Sequence, residues 1–247
     1  NGAIQMAAPS LAKFGPMGLK EFELFDLPYL FNDFNDVHKV TQGPVGQELM
    51  KLTEPKGVTG VAFWDNGLKI MSANKPLKTV EDYKGLKMRI QSSKVLDVQM
   101  RSVGALPQVI PFSEAYQALS TGVVDGTENP PSNLYTQKMH EVQKYATLSG
   151  HTYSPEVVVF SLATWKKIPA KYQEEILKAS AEAKKFNRDL SAKMDKEYVG
   201  KLKEKGMTVT ALTAQQIVPF QEKMMPVWDL FADKIGKDLI QKIKDTK

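Results

Sequence analysis

The 247-residue sequence predicts an α/β fold, and three observations carry that prediction. Short apolar strands alternate with helical patterns along most of the chain. The stretch over residues 84–135 reads as strand, serine-capped helix, strand, short helix, strand. A helical pattern over residues 170–205 would span on the order of 50 Å at about 1.5 Å per residue, more than the width of one small domain. It is therefore read as a brace across two domains, and the chain is long enough for one large core or two smaller ones.

Residues 3–8 read as a strand ending at Pro9-Ser10, and the dense apolar and aromatic run over 21–31 reads as core. Residues 35–52 look helical. A buried strand is expected over 57–64, closed by a turn at Asp65-Asn66-Gly67, with a new strand over 69–72. Thr79 and Asp82 have the spacing of a capping box for a one-turn helix that stops at Gly85. Over 86–91 the period is two, with Leu86, Met88 and Ile90 on one face and Lys87, Arg89 and Gln91 on the other. Ser92 or Ser93 caps a helix to Val103, Ser113 caps a shorter one to Gly122, and a turn is expected at Asp125-Gly126. In the long helix Tyr172, Ile176, Ala179, Ala183, Phe186, Leu190, Met194, Tyr198 and Leu202 form the expected apolar stripe. The tail over 213–247 reads as two amphipathic helices broken near Pro226.

Composition narrows the function classes. Without cysteine there is no disulfide scaffold, thiol nucleophile or thiolate metal site. No apolar run reaches the length of a membrane-spanning helix. The net charge of +5 serves solubility and would also raise encounter rates with dianions. Aromatic residues do not interleave with basic ones, which argues against nucleic acid as a partner. The opening at Asn1-Gly2-Ala3 reads as the middle of a domain, so an amino-terminal segment is expected to be missing.

Arg89 is the leading candidate for a binding role. It stands near the carboxyl end of a strand, immediately before a helix start carrying Ser92 and Ser93. Ligands of open α/β sheets bind beyond the carboxyl ends of strands. Free N–H groups at a helix start favour anions, and a guanidinium grips a carboxylate with two teeth. The bland alternative is a surface charge or a structural ion pair. Asn129, held by Pro130-Pro131, either faces a ligand or satisfies its own turn, and Phe112 is either core or a lid. Trp64 and Lys69 flank a second strand junction, where the lysine adds a positive charge or is simply solvated.

Catalytic signals fail. His140-Glu141-Val142-Gln143-Lys144 puts lysine where a zinc protease needs its second histidine, and no nucleophile elbow or phosphate-cradling loop is present. No catalytic residue, cofactor or metal is assigned.

The sequence resembles the solute-binding proteins of tripartite ATP-independent periplasmic (TRAP) transporters, most closely the four-carbon-dicarboxylate-binding members. The motifs are Gly85-Leu86-Lys87-Met88-Arg89-Ile90-Gln91-Ser92-Ser93-Lys94, Pro111-Phe112-Ser113-Glu114-Ala115-Tyr116, Val124-Asp125-Gly126-Thr127-Glu128-Asn129-Pro130 and residues 138–144. The similarity also takes in residues 8–14 and runs to the carboxyl-terminal helices.

This resemblance implies a periplasmic monomer of two α/β domains with crossing strands, a central cleft and the bracing helix. Residues 1–66 and 155–192 would form domain I, and 67–154 and 193–247 domain II. It implies that Arg89 pairs with the substrate carboxylate, that Asn129 helps hold the same group, and that Ser92 and Phe112 line the pocket. His151 falls at a position that joins a water network in some members, and Ser10 lies beside a loop that reaches the ligand. The expected ligand is a small organic acid such as succinate, fumarate or malate, delivered by domain closure to a membrane permease. Alternatives are another carboxylate (sialic, sugar or keto acid), a module serving another transporter or a sensor, or an enzyme of bilobal α/β fold. Two departures stand out. Lys69 occupies the place where many members carry a second arginine, so the two-toothed grip is lost there. The sequence also starts after the opening strand and helix that the resemblance leads one to expect, which ordinarily contribute to the cleft.

Overall fold

A computed structural model describes residues 3–247; Asn1 and Gly2, which open the expected domain I, lie outside the described residues. The strand expected over 3–8 forms only at β1 (Met6–Ala7). The apolar run that follows is core: Phe22, Leu24, Phe25, Leu27 and Leu30 are buried, around a 3-10 helix at Lys20–Asp26. Asp33 starts α1 (Phe34–Gln42) by accepting the Asp36 N–H at 3.0 Å. The single helix expected over 35–52 is in fact two. Gly43 leaves helical geometry, and Pro44, which has no N–H to continue the ladder, opens α2 (Pro44–Lys51).

Strand β2 (Val58–Leu68) corrects the expected turn at Asp65-Asn66-Gly67, because the strand runs through it and bulges between Asp65 and Leu68. Gly67 sits at φ 130°, and a Cβ there would stand 2.7 Å from Asp195 Oδ1. The side chain of Asn187 supplies the bulge's missing partners. Its Oδ1 accepts the Asp65 N–H at 2.7 Å, and its Nδ2 donates to the Asp65 carbonyl at 3.2 Å. Contacts 122 residues away thus override a local turn signal.

Strand β3 (Ile70–Ala73) follows after one residue, and the capping box at Thr79 forms as expected. Then come β4 (Lys87–Ile90) and α3 (Lys94–Ser102), which is capped by Ser93: its Oγ accepts the Leu96 N–H at 3.4 Å. After β5 (Leu106–Val109), Ser113 lies inside a 3-10 turn instead of capping α4 (Ala115–Ser120), which has no side-chain cap. Gly126 begins β6 (Gly126–Asn129) and is not in a turn. A Cβ there would meet Ser72 O at 2.3 Å, so the close approach of β3 requires glycine. Pro131 opens α5 (Pro131–Thr136), followed by β7 (Tyr145–Leu148), β8 (Tyr153–Ser161) and α6 (Leu162–Trp165).

The long helix is α7 (Ala170–Glu204), 35 residues as expected, and it runs on through Gly200. Its expected stripe does not all face inward: Tyr172, Phe186 and Leu190 are 58%, 69% and 40% exposed. Asn187 and Ser191 face β2 instead, because that face of the helix answers the bulge's backbone. After β9 (Thr208–Ala211) the tail makes three helices where two were expected: α8 (Ala214–Met224), α9 (Val227–Ile235) and α10 (Lys237–Thr246). The additional break is at Gly236, with φ 108°.

These elements form two sheets, β1-β8-β2 and β5-β4-β6-β3-β7-β9. The chain passes between the sheets three times: directly from β2 into β3 and from β7 into β8, and by way of α7 from β8 to β9. The direct crossings are tied by the Lys69 N–H donating to the Thr152 carbonyl at 2.9 Å. Helix α7 packs on β2 and also on α5 and β9, so it touches both sheets. Residues of α9 and α10, from Val227 to Ile243, bury their apolar face with Phe22, Val37 and Leu49, whereas Phe220 and Met224 of α8 pack with Met88 and Leu96. The segment expected as part of domain II therefore shares its apolar side chains between two cores.

Candidate functional site

Strand β4 runs parallel to both β5 and β6, so the carboxyl ends of three adjacent strands meet at one edge. A cavity of about 600 Å³ opens beyond that edge. Arg89, Gln91 and Ser92 from the end of β4, with Ile110, Pro111 and Phe112 after β5, form one side. Ser10, Lys13, Asn66 and Glu156, from the three-stranded sheet and the turn after β1, form the other.

Arg89 is only 1% exposed. The strand alternation that sets it opposite Met88 and Ile90 turns it toward the cavity rather than into either core. Its Nε donates to the Ile110 carbonyl at 2.9 Å, and its guanidinium lies 5.6 Å from the centre of the Phe112 ring. Nη1 is buried with no hydrogen-bond partner, and among the described residues no carboxylate forms an ion pair with the group. Burial lowers its pKa from the ordinary arginine value, while the charge of Glu128 opposes that shift. A guanidinium stays protonated in proteins, so it needs a compensating anion. The cavity is where one can enter.

The other residues singled out from the sequence divide into two groups. Ser92, Phe112 and Ser10 line the cavity with Arg89. Ser92 is not the helix cap, which leaves its hydroxyl available to a ligand. Asn129, Lys69, His151 and Trp64 do not line it. Asn129 is buried at the end of β6, gives its Nδ2 to Thr127 Oγ1 at 3.0 Å, and keeps Oδ1 without a partner. Trp64 stands opposite Glu156 in the β2–β8 ladder, which sets both side chains on one face, and its indole N–H is also buried and unpartnered.

Lys69 is neither solvated nor open to the cavity. It is buried at the crossing between the sheets, and its ammonium contacts both Glu128 oxygens, at 3.0 and 2.9 Å. His151 Nε2 lies 3.5 Å from the same carboxylate, and its Nδ1 is 2.7 Å from Ser149 Oγ. Burial alone would raise the pKa of Glu128, but Lys69 and His151 hold it below the ordinary value. Burial lowers that of His151 despite Glu128, so the imidazole is neutral at neutral pH. Asp26 beside this group is pushed up to about 6 by burial, with Lys69 and a hydrogen bond to Ser93 opposing.

Sequence reasoning missed the facing wall of Lys13, Asn66 and Glu156, together with Gln91 on the near side. Asn66 Nδ2 donates to Glu156 Oε1 at 3.3 Å, and Gln91 Oε1 is buried without a partner. Gln91 had a signal: it shares the polar face of β4 with Arg89. The others come together only through sheet pairing that no local pattern shows.

The chain matches the family of bacterial extracellular solute-binding proteins, family 7 (DctP), over residues 1–234. The C4-dicarboxylate-binding periplasmic protein DctP of Rhodobacter capsulatus is 51% identical over 244 residues, covering 98% of this chain and 73% of that protein. A TRAP periplasmic solute-binding protein from Sulfurospirillum deleyianum, solved with bound succinate, superposes with a TM-score of 0.95 at 41% identity over 100% of this chain and 81% of its own. The sugar acid-binding protein DctPAm from Advenella mimigardefordensis, solved with galactonate, gives a TM-score of 0.96 at 30% identity over 99% of this chain and 79% of its own.

Proposed function

The chain belongs to the DctP family of extracellular solute-binding proteins of TRAP transporters, and from that premise we propose that it captures a four-carbon dicarboxylate. Its place is the periplasm and its role is transport. We read succinate, fumarate or malate as the ligand because the relative from Rhodobacter capsulatus is named for C4-dicarboxylates and the Sulfurospirillum deleyianum structure holds succinate. The observation that carries the reading is the buried Arg89, whose Nη1 still lacks a partner beside a cavity.

In this reading one carboxylate meets Arg89, with the Ser92 hydroxyl at the helix start as a further donor. Phe112, already against the guanidinium, covers the carbon chain. Asn129 joins as the two domains close, if its amide turns to present Nδ2. Closure about the paired crossings at Lys69 and Thr152 excludes water, which strengthens each contact. The ligand favours the closed state through these contacts, and that state is what a membrane permease would receive. The protein acts as a monomer and leaves its ligand chemically unchanged. Isothermal titration with succinate, fumarate, malate and galactonate tests the reading. Dicarboxylates should bind more tightly than the sugar acid; galactonate binding with no response to any dicarboxylate contradicts it.

A further inference from the structure

The wall facing Arg89 carries a carboxylate, an unexpected group in a cavity suited to anions. Glu156 on β8 is half-buried and is held by the Asn66 amide at 3.3 Å. Its backbone is bridged to Ser10, three residues before Lys13. The groups facing it are Asn66 and Trp64 from β2, Lys13 from the turn after Ser10, and Arg89 across the cavity. Burial raises the Glu156 pKa, and Lys13 opposes that shift.

Among the described residues, Lys13, Arg89 and Glu156 are the charged ones lining the cavity, two cations against one anion. A singly charged acid balances this set, whereas a dianion leaves one negative charge in excess. We propose that capture of a dicarboxylate is coupled to the uptake of one proton from solvent by Glu156. Arg89 and Lys13 then each face one ligand carboxylate, and the neutral Glu156 carboxyl donates a hydrogen bond instead of repelling. A singly charged sugar acid needs no such proton, because an ionised Glu156 accepts hydrogen bonds from its hydroxyl groups. This rests on the dicarboxylate reading above and says how the same site selects ligand charge.

The sign follows from linkage. A group whose pKa is higher in the complex than in the free protein takes up protons on binding, so affinity falls as pH rises between the two values, by up to about tenfold per pH unit. Titration calorimetry of the intact chain with succinate, between about pH 6.5 and pH 8.5 where the ligand keeps both charges, tests it. Two buffers of different ionisation enthalpy should show uptake approaching one proton for succinate and none for galactonate. Glu156→Gln should abolish that uptake, flatten the pH profile and bind succinate more tightly at the alkaline end. Succinate binding without buffer dependence in the wild-type chain overturns the proposal and leaves the dicarboxylate reading intact. An unchanged pH slope in Glu156→Gln overturns it equally. Galactonate binding without any succinate binding removes the dicarboxylate reading itself, and this inference with it.

Discussion

Two cations are buried to the same degree in this molecule, and their surroundings could hardly differ more. Lys69 and Arg89 are each 1% exposed, on adjoining regions of the molecule. Lys69 holds both oxygens of Glu128, whose neighbour His151 is in turn fixed by Ser149. Arg89 has one carbonyl, one aromatic face and an Nη1 with nothing to bind. A buried charge completed by the fold is structural. One that the fold leaves incomplete beside a cavity is waiting for an anion from outside.

The largest effect that could break this comparison is on affinity. Arg89→Met should lower dicarboxylate affinity by about two to four orders of magnitude, from a loss of roughly 3–5 kcal/mol, while the fold persists. Calorimetry showing near-unchanged binding would move Arg89 to the structural side. The complementary variant, Lys69→Met, leaves Glu128 buried and unpaired and should destabilise the fold by about 3–5 kcal/mol in denaturant titrations. Adding Glu128→Gln should recover much of that loss. If Lys69→Met instead keeps stability and loses binding, the two cations have been assigned the wrong way round.

Asp26 sharpens the picture through pH. Its pKa is raised from 3.8 to about 6, so its contribution to stability is full below pH 3.8 and is lost as pH rises through about 6. Asp26→Asn should therefore stabilise the protein at neutral pH by roughly 2–3 kcal/mol and flatten the stability profile over that window. A smaller effect is expected at the bulge. Asn187→Ala removes the partner of the Asp65 N–H and one of the two side-chain donors to its carbonyl, which keeps Ser191, and should cost about 1–3 kcal/mol, with faster hydrogen exchange at the Asp65 amide. Unchanged exchange there would mean that α7 does not hold the crossing strand.

The same contrast explains what could be seen in the sequence. Arg89 was legible because strand alternation and the helix start at Ser92 and Ser93 are local patterns that direct it to one edge, whereas Phe112 stood open between core and lid, and its place in the pocket, like that of Ser92, came from the family resemblance. The 35-residue length of α7 was legible because glycine and proline were absent from most of it. Its orientation was not, since the face meeting β2 is polar and answers a bulge 122 residues earlier. Lys69 looked solvated because nothing near it in sequence announces Glu128, 59 residues on. Lys13 and Glu156 were hidden for the same reason: an apposed wall is made by sheet pairing, and local periodicity carries no record of it.

A crystal structure with succinate bound is the most direct test that the guanidinium unpaired in the fold is the ligand's own partner. The account predicts a carboxylate oxygen about 2.7–3.0 Å from Nη1 of Arg89, with Lys69 still on Glu128. Succinate held elsewhere, with Nη1 as bare as before, would contradict it.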